Sequence, residues 1–261
     1  MEKNSSSLRI TLVQTSLLWE DPVGNCARLE EELSPLAGQT DVVVLPEMFT
    51  TGFSINANHA EMMNGPSIKW MQLMANRIDA LLIGSIKIKE SGNLYNRLFA
   101  VYPDGSYSCY DKKHLFRMGD EGKAYTAGNK QQIIEYKGFS IALFVCYDLR
   151  FPVWIRNRQN AYDLAVFVAN WPASRANAWK TLLRARAIEN LSYVVGVNIV
   201  GQDGNQLSYS GDSALISFKG EDLLNLGNQE QNQTGEIFKN ELENFRTNFP
   251  AFLDADSFEL K

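Results

Sequence analysis

One stretch constrains this chain more than any other: an apolar run, residues 138–145, that ends abruptly at Cys146 and a polar segment. Because the run shows little polar alternation, it predicts a strand covered on both faces. Pro152 suits the first turn of a following helix. Cys146 would then lie between the carboxyl end of a strand and a helix N-terminus. There, backbone N–H groups and the helix dipole can favour a thiolate and later an oxyanion.

An inert structural cysteine is the alternative interpretation of Cys146, because free cysteine is among the most buried residue types. Tyr147, Asp148 and Arg150 follow it closely, and such polar company is unusual for a core thiol. The pattern alone leaves both interpretations open.

Composition narrows the class of protein. The chain has 261 residues, 45% hydrophobic and 21% charged, which predicts one large soluble core. Its net charge of −5, without a basic cluster, argues against nucleic acid and favours a small-molecule partner. The N-terminus has no apolar signal region, and no window approaches the roughly 18 consecutive apolar residues of a membrane span. We therefore expect a cytoplasmic protein without a membrane partner.

The few cysteines and histidines limit metal and redox chemistry. Cys26, Cys109 and Cys146 are odd in number and widely separated, so they support neither a disulfide framework nor a CxxC metal site. His59 and His114 are the only histidines, and neither has a third ligand nearby in the sequence, so we expect no metal. The scarcity of histidine also predicts that the base serving Cys146 is of another type.

The order of apolar and periodic segments predicts two similar halves. The first half contains strands at 8–15, 41–46, 80–88 and 94–102, with helical segments through 29–36 and at 67–78. The second contains strands at 131–136, 138–145, 164–169, 193–199 and 213–218, with helices at 152–160 and 176–190. An edge strand at 235–239 and a short helix from residue 240 follow. The polar segments 105–128 and 220–235 are interpreted as a long loop and a surface connection.

Two such halves predict an α/β fold in which two sheets pack face to face with helices outside, a four-layer α-β-β-α sandwich. We expect one domain over residues 1–261, with a core at about 8–240 and a C-terminal extension at 241–261. A single doubly wound sheet is the rival architecture. No GxGxxG follows the first strand, which disfavours a dinucleotide-binding version of that rival.

Three polar residues stand where reactive groups are expected: Glu47 just past a strand, Lys112 in the long polar segment, and Cys146. Together they can perform acyl transfer without a cofactor. The sulfur attacks a carbonyl carbon, the carboxylate moves the proton, and the ammonium stabilises negative charge at the tetrahedral centre. Taken singly, Glu47 could instead cap a helix, and Lys112 could be a solvated charge.

The segments around these residues favour the catalytic interpretation. Residues 45–49, 110–116 and 146–152 resemble, in order and spacing, the signature segments of the nitrilase or carbon-nitrogen hydrolase superfamily. The resemblance implies a catalytic triad of Glu47, Lys112 and Cys146 on an α-β-β-α sandwich, usually assembled into dimers or larger homo-oligomers. It selects Lys112 over its neighbour Lys113. It also implies a supporting role for Glu121.

Within that superfamily, residues 46–53, 170–175 and 249–256 look most like the omega-amidase branch. Its members hydrolyse the terminal amide of short 2-oxo dicarboxylic acid monoamides such as 2-oxoglutaramate and 2-oxosuccinamate. One departure is Val153, where many relatives carry an acidic residue. Alternative functions are N-carbamoyl amide hydrolysis, nitrile hydrolysis and a non-catalytic binding subunit.

The remaining predictions concern groups that contact the substrate. The backbone N–H of Tyr147 is predicted to stabilise the oxyanion. Arg175 is favoured for binding the substrate carboxylate, with Arg117 in reserve, because a guanidinium binds a carboxylate through two charge-assisted hydrogen bonds. Phe53 and Trp171 are expected to form apolar walls. The alternative for Arg175 is a surface ion pair or cap on the following helix.

Overall fold

The computed structural model describes residues 6–260. Most of the chain's apolar runs form strands. In chain order these are β1 (Ser7–Gln14), β2 (Val42–Val44), β3 (Leu81–Glu90), β4 (Asn93–Val101), β5 (Tyr107–Asp111), β6 (Gln132–Tyr136), β7 (Phe139–Val145), β8 (Leu164–Val168), β9 (Tyr193–Val197), β10 (Val200–Gln202), β11 (Ser208–Ser210), β12 (Ala214–Ile216), β13 (Asp222–Asn225) and β14 (Gln231–Phe238). The helices are α1 (Pro22–Leu33), α2 (Pro66–Ile78), α3 (Glu121–Ala124), α4 (Pro152–Ile155), α5 (Ala176–Asn190) and α6 (Lys239–Asn248).

The strands form two six-stranded sheets and one small hairpin. The first sheet has the order β14-β1-β2-β3-β4-β5, and the second has the order β13-β12-β9-β8-β7-β6. Each has three parallel central strands, β1-β2-β3 and β7-β8-β9, flanked by antiparallel strands. β10 and β11 form the separate hairpin. The carboxyl ends of the parallel strands are where ligand sites are expected in such sheets.

Alternation along the short strand β2 shows how the layers are arranged. Val42 and Val44 belong to the apolar core that also contains the strands of the second sheet. Val43 points the other way, into a core shared with α1 and α2. The first sheet is therefore buried on both faces, by the second sheet and by two helices, as expected for parallel strands.

Helix α5 covers the outer face of the second sheet. Gly196 on β9 allows this close approach, because a β-carbon there would lie only 2.5 Å from Leu183 Cδ1 and 2.8 Å from Trp179. Trp179 and Leu183 are both buried. With helices outside two facing sheets, the predicted four-layer α-β-β-α sandwich and single domain are confirmed.

Two predicted segments differ from the structure. The stretch 105–128 is not one loop, because Tyr107–Asp111 pairs along its length with β4 and Glu121 begins a short helix. The helix predicted at 152–160 ends at Ile155, because Arg156 has ψ 122° and leaves the helical region. A separate 3₁₀ turn, Arg158–Asn160, follows.

The C-terminal region is more ordered than predicted. The surface connection 220–235 contains β13, and the predicted edge strand is longer, since β14 pairs with β1 over eight residues from Ser7↔Phe238 to Gln14↔Gln231. Leu242 and Arg246 of α6 are buried, so this helix packs on the body, whereas residues 249–260 are half-buried or exposed. Residues 1–5 and 261 of the predicted domain lie outside the described residues. No helix within 6–260 is long and apolar enough to cross a membrane.

Candidate active site

The candidate site lies where the carboxyl ends of β2, β7 and β8 meet. Glu47 follows β2 by three residues, Cys146 comes directly after β7, and Asn170 follows β8 by two residues. The chain turns sharply after Glu47, because Met48 has φ +44° and its backbone N–H donates to Ser85 Oγ at 2.8 Å. Glu47 therefore comes from the first sheet, and Cys146 and Asn170 come from the second.

Lys112 enters from the end of the edge strand β5. Its backbone N–H donates to the Asn96 carbonyl at 3.0 Å, and its own carbonyl accepts from Gly128 N at 3.0 Å. Position 128 must be glycine for this contact, since a β-carbon would lie 2.2 Å from the Asp111 carbonyl oxygen. The lysine backbone is thus held from both sides.

The Lys112 ammonium lies between two buried carboxylates. Nζ is 2.8 Å from Glu47 Oε1 and 3.0 Å from Glu121 Oε2, and all three side chains are at most 1% exposed. Burial lowers the pKa of Lys112, but the charges of Glu121 and Glu47 outweigh it and hold that pKa above its ordinary value. The lysine is therefore a fixed positive charge. Burial raises the pKa of Glu121, against the opposing effect of Lys112.

Asn96, in β4, is a site residue that the sequence analysis missed. Its Nδ2 donates to Glu47 Oε1 at 2.7 Å and lies 3.2 Å from Glu121 Oε1, so one amide contacts both carboxylates. The sequence offered one signal for it. Asn96 is an amide in a strand, and the next residues on the same face of that strand, Leu98 and Ala100, are apolar and buried.

Asn170 holds the other side of Glu47. Its backbone N–H donates to Glu47 Oε2 at 2.9 Å, and its Nδ2 donates to the Glu47 carbonyl at 2.5 Å. Together with Asn96 and Lys112, these donors contact both carboxylate oxygens and leave the carboxylate little freedom to rotate.

Cys146 begins a 3₁₀ turn, Cys146–Arg150, with φ +45°, a left-handed conformation that is strained for a residue with a β-carbon. The turn has five residues, so the expected stabilisation of a thiolate by a helix dipole is wrong for this site. Burial, followed by the charge of Glu47, raises the pKa of the Cys146 thiol well above its ordinary value. Before substrate binds, the site therefore holds a protonated thiol beside a carboxylate.

Asp148 and His114 lie behind this turn. The Asp148 carboxylate accepts hydrogen bonds from Val145 N at 3.0 Å, from His114 N at 2.9 Å and from Tyr110 Oη at 2.8 Å. His114 Nδ1 is 2.7 Å from the same carboxylate, and its ring stacks on Phe151 with centroids 3.8 Å apart. The histidine ring is therefore engaged in supporting the turn.

A cavity of about 810 Å³ opens above Cys146 and Lys112. The predicted wall residues Phe53 and Trp171 line it, as do Tyr147 and Arg175. The Phe53 ring centroid lies 5.2 Å from the Lys112 ammonium.

The reserve candidate for binding the substrate carboxylate was Arg117. Arg117 is exposed on the 3₁₀ turn Arg117–Gly119 and is not among the residues that line the cavity. The second arginine in the lining is instead Arg150, which belongs to the turn that carries the cysteine. Within residues 6–260, no group of three His, Cys, Asp or Glu side chains is arranged to hold a metal ion.

Comparison with known proteins identifies the family. The carbon-nitrogen hydrolase family model matches residues 9–246. The chain belongs to the carbon-nitrogen hydrolase family. This carbon-nitrogen hydrolase is 45% identical to the omega-amidase YafV of Escherichia coli K12, over 97% of this chain and 98% of the relative. It is 30% identical to the 2-oxoglutaramate amidase of Bacillus subtilis, over 94% of this chain and 96% of that enzyme.

A solved structure also resembles this carbon-nitrogen hydrolase over nearly its whole length. XC1258 from Xanthomonas campestris is a CN-hydrolase superfamily protein with an arsenic adduct in its active site. It superimposes with a TM-score of 0.96 at 50% sequence identity, covering 98% of this chain and 99% of XC1258.

Proposed function

We propose that this carbon-nitrogen hydrolase is an omega-amidase. It hydrolyses the terminal amide of short 2-oxo dicarboxylic acid monoamides, such as 2-oxoglutaramate and 2-oxosuccinamate, to the dicarboxylic acid and ammonia. The observation that carries the proposal is the buried Glu47–Lys112–Glu121 group beside the Cys146 thiol, at the base of a cavity that contains arginine. The similarity to an omega-amidase and to a 2-oxoglutaramate amidase supports this substrate class.

In the first step the Cys146 sulfur attacks the amide carbon while Glu47 accepts the thiol proton. The negative charge that develops on the amide oxygen is stabilised by the Lys112 ammonium and by the backbone N–H of Tyr147. Because the thiol is protonated before substrate binds, proton transfer to Glu47 accompanies the attack. A carboxylate that is buried beside the thiol suits this role.

In the second step Glu47 gives its proton to the amide nitrogen, the C–N bond breaks, and ammonia leaves. The acyl group remains on Cys146 as a thioester. Glu47 then deprotonates a water molecule that attacks the thioester carbon, and the C–S bond breaks. The sulfur regains a proton as the acid is released, so the balance is one amide and one water to one acid and one ammonia. Glu121 acts as a positioning residue that holds Lys112.

Arg175 is proposed to bind the remote carboxylate of the substrate. Its guanidinium carbon lies 5.2 Å from the centre of the Phe116 ring, and its side chain makes no hydrogen bond or ion pair with any residue in 6–260. The side chain therefore does not cap α5 or pair on its surface. An unpaired guanidinium in the cavity lining supports carboxylate binding.

We also propose that the protein works in the cytoplasm as a homodimer or larger homo-oligomer. The support for this assembly is the resemblance to a superfamily whose members usually form dimers or larger homo-oligomers. Molar mass in solution, measured by light scattering, tests the proposed assembly.

Ammonia release tests the activity. The wild-type protein should act on 2-oxoglutaramate in preference to glutamine, asparagine and N-carbamoyl compounds. Cys146→Ala should lower turnover by several powers of ten, of the order expected for removing a nucleophile from a catalytic unit. Carbon dioxide released with the ammonia would indicate an N-carbamoyl substrate, and consumption of a nitrile would indicate a nitrilase. A Cys146→Ala protein with a tenth of wild-type activity would exclude the assignment.

A second experiment identifies the base. Glu47→Gln should abolish turnover, because the amide cannot accept the thiol proton. His114→Asn should retain turnover, because His114 contacts Asp148 behind the turn. Steady-state rates of both variants on the same amide identify the base. If Glu47→Gln were active and His114→Asn inactive, the base would be His114.

A further inference from the structure

The cavity contains a second arginine that forms no ion pair with any residue in 6–260. Arg150 is the last residue of the 3₁₀ turn that begins at Cys146, and its guanidinium carbon lies 4.9 Å from the centre of the Trp171 ring. Like Arg175, it makes no side-chain hydrogen bond or ion pair with any residue between 6 and 260. Each guanidinium carries five N–H donors and no acceptor.

Buried arginines elsewhere in the described chain are paired differently. Each has an acidic partner within 3.0 Å: Arg97 with Asp111 and Glu90, Arg186 with Glu189, and Arg246 with Asp163. Arg150 and Arg175 are half-buried, have no acidic partner among residues 6–260, and line the same cavity. Half-buried, unpaired guanidiniums facing one cavity are suited to an anionic ligand.

The cavity lining also contains one acidic residue, Asp203, which is hydrogen-bonded within its own hairpin. Asp203 belongs to the β10–β11 hairpin, and its Oδ1 accepts from Asn205 N at 2.8 Å and Leu207 N at 3.0 Å. Its Oδ2 accepts from Tyr209 Oη at 3.0 Å. These bonds commit the carboxylate to the hairpin tip. Arg150 and Arg175 therefore present donors that no acidic side chain among residues 6–260 contacts.

We infer that Arg150 binds the 2-oxo oxygen of the substrate and thereby selects 2-oxo acids over 2-amino acids. The inference rests on the proposed omega-amidase function. A 2-oxo acid presents three acceptor oxygens and no donor at its carboxylate end, which matches donor-only guanidiniums. A 2-amino acid presents an ammonium there. Two guanidiniums repel that ammonium, and the Asp203 carboxylate already accepts three hydrogen bonds within its own hairpin.

The positions of the two arginines indicate which group of the substrate each one contacts. Arg150 lies four residues from Cys146 in the same 3₁₀ turn. Arg175 belongs to a different 3₁₀ turn, Ala173–Arg175. The 2-oxo oxygen of the substrate is nearer to the scissile carbon than the terminal carboxylate is. Arg150 therefore contacts the 2-oxo oxygen, and Arg175 contacts the carboxylate.

The test compares 2-oxoglutaramate with glutaramate, which has the same chain length and carboxylate but lacks the oxo group. Arg150→Met should lower kcat/KM for 2-oxoglutaramate by about 30-fold or more, the effect of losing a charged hydrogen bond. For glutaramate the change should be below about threefold. Arg175→Met should lower kcat/KM for both substrates, because both carry the carboxylate. Glutamine should gain relative to 2-oxoglutaramate when Arg150 is replaced.

Two controls separate recognition from damage to the turn. The rate of Cys146 alkylation by uncharged iodoacetamide should be the same in wild type and Arg150→Met. Arg77→Met, on α2 at an exposed ion pair with Glu30 of α1, should leave kcat/KM for both substrates unchanged. If Arg150→Met changes the alkylation rate, the two substrates are compared in Arg150→Lys instead. It keeps the charge but loses the planar fork, so its loss should still be confined to 2-oxoglutaramate.

The outcomes separate this inference from the proposed function. Equal losses on 2-oxoglutaramate and glutaramate, in Arg150→Met or in Arg150→Lys, would overturn the inference and leave the omega-amidase function standing. Wild-type protein that hydrolyses other amides but not 2-oxoglutaramate would overturn the proposed function and the inference with it. A loss confined to 2-oxoglutaramate supports both.

Discussion

At the scale of single residues, the most informative feature is the protonated thiol of Cys146. Its left-handed backbone costs about 1 kcal/mol or more, and packing around the turn must offset this. The proton is retained because burial and Glu47 disfavour the thiolate. A nucleophile that ionises only during attack is less open to oxidation and alkylation than a standing thiolate, because the thiolate is the reactive form.

Replacing Glu47 should make the Cys146 thiol more acidic and at the same time abolish activity. The charge of Glu47 raises the pKa of Cys146 and that of Lys112 lowers it, so Glu47→Gln should move the thiol pKa down. Thiolate absorbance titrated against pH, with Cys26 and Cys109 replaced by alanine, measures the midpoint. The variant should thus have a more acidic cysteine and no turnover. An unchanged or higher midpoint would show that the Glu47 charge does not act on the thiol.

Asn96 provides a second prediction, for a positioning residue. Asn96→Ala removes the amide that contacts both Glu47 and Glu121, and we expect kcat/KM to fall about tenfold or more. Because Asn96 holds the Glu47 carboxylate and does not line the cavity, the loss should appear in kcat, with KM changed by less than about threefold. Asn93→Ala, at the exposed start of the same strand, is the matched control. A loss that appears in KM and leaves kcat unchanged would contradict a positioning role for Asn96.

At the scale of elements, sequence patterns located the buried parallel strands well, because each is a continuous apolar run. They failed at Tyr107–Asp111. This edge strand is held by backbone pairing with β4 and has a mixed side-chain pattern, so Lys112 was expected in a loop. Glu47, Lys112 and Cys146 could be named from their segments, whereas Asn96 could not, since one amide in a strand does not show which carboxylates it faces. Arg150 was seen only as a neighbour of the cysteine, because its free guanidinium is a property of the assembled cavity.

Helix α6 is attached to the body by the buried Leu242, by Phe245 packed on Phe218, and by the hydrogen bonds of Arg246. Arg246 donates to the Leu191 and Tyr162 carbonyls at 2.9 and 2.7 Å and to Asp163 at 2.9 Å. Arg246→Met should lower the free energy of unfolding by about 2 kcal/mol or more, because the buried Leu191 and Tyr162 carbonyls lose their charged donor while Asp163 keeps Lys239. Arg184→Met, at an exposed pair with Asp222, should cost less than about 1 kcal/mol. Denaturant unfolding measures both, and equal effects would mean that α6 is not anchored in this way.

At the scale of the whole molecule, the site is shared between two sheets that have one common core. Glu47 comes from the first sheet, and Cys146 and Asn170 come from the second. The contact between Asn170 and Glu47 therefore spans the sandwich. Core substitutions that move one sheet against the other should impair catalysis even when far from the cavity, because misplacement of catalytic groups by about 1 Å can cost roughly a hundredfold.

The pairing of β1 with β14 has a consequence for how the protein is made. Ser7 is paired with Phe238, so the outer edge of the first strand has no partner until almost the whole chain has been synthesised. At about 5–20 residues per second, that edge stays open on the ribosome for roughly 10 to 50 seconds. Open strand edges attract other chains. Slow or crowded translation therefore exposes this protein to misassembly through its N-terminal strand, and faster completion of the C-terminal strand protects it.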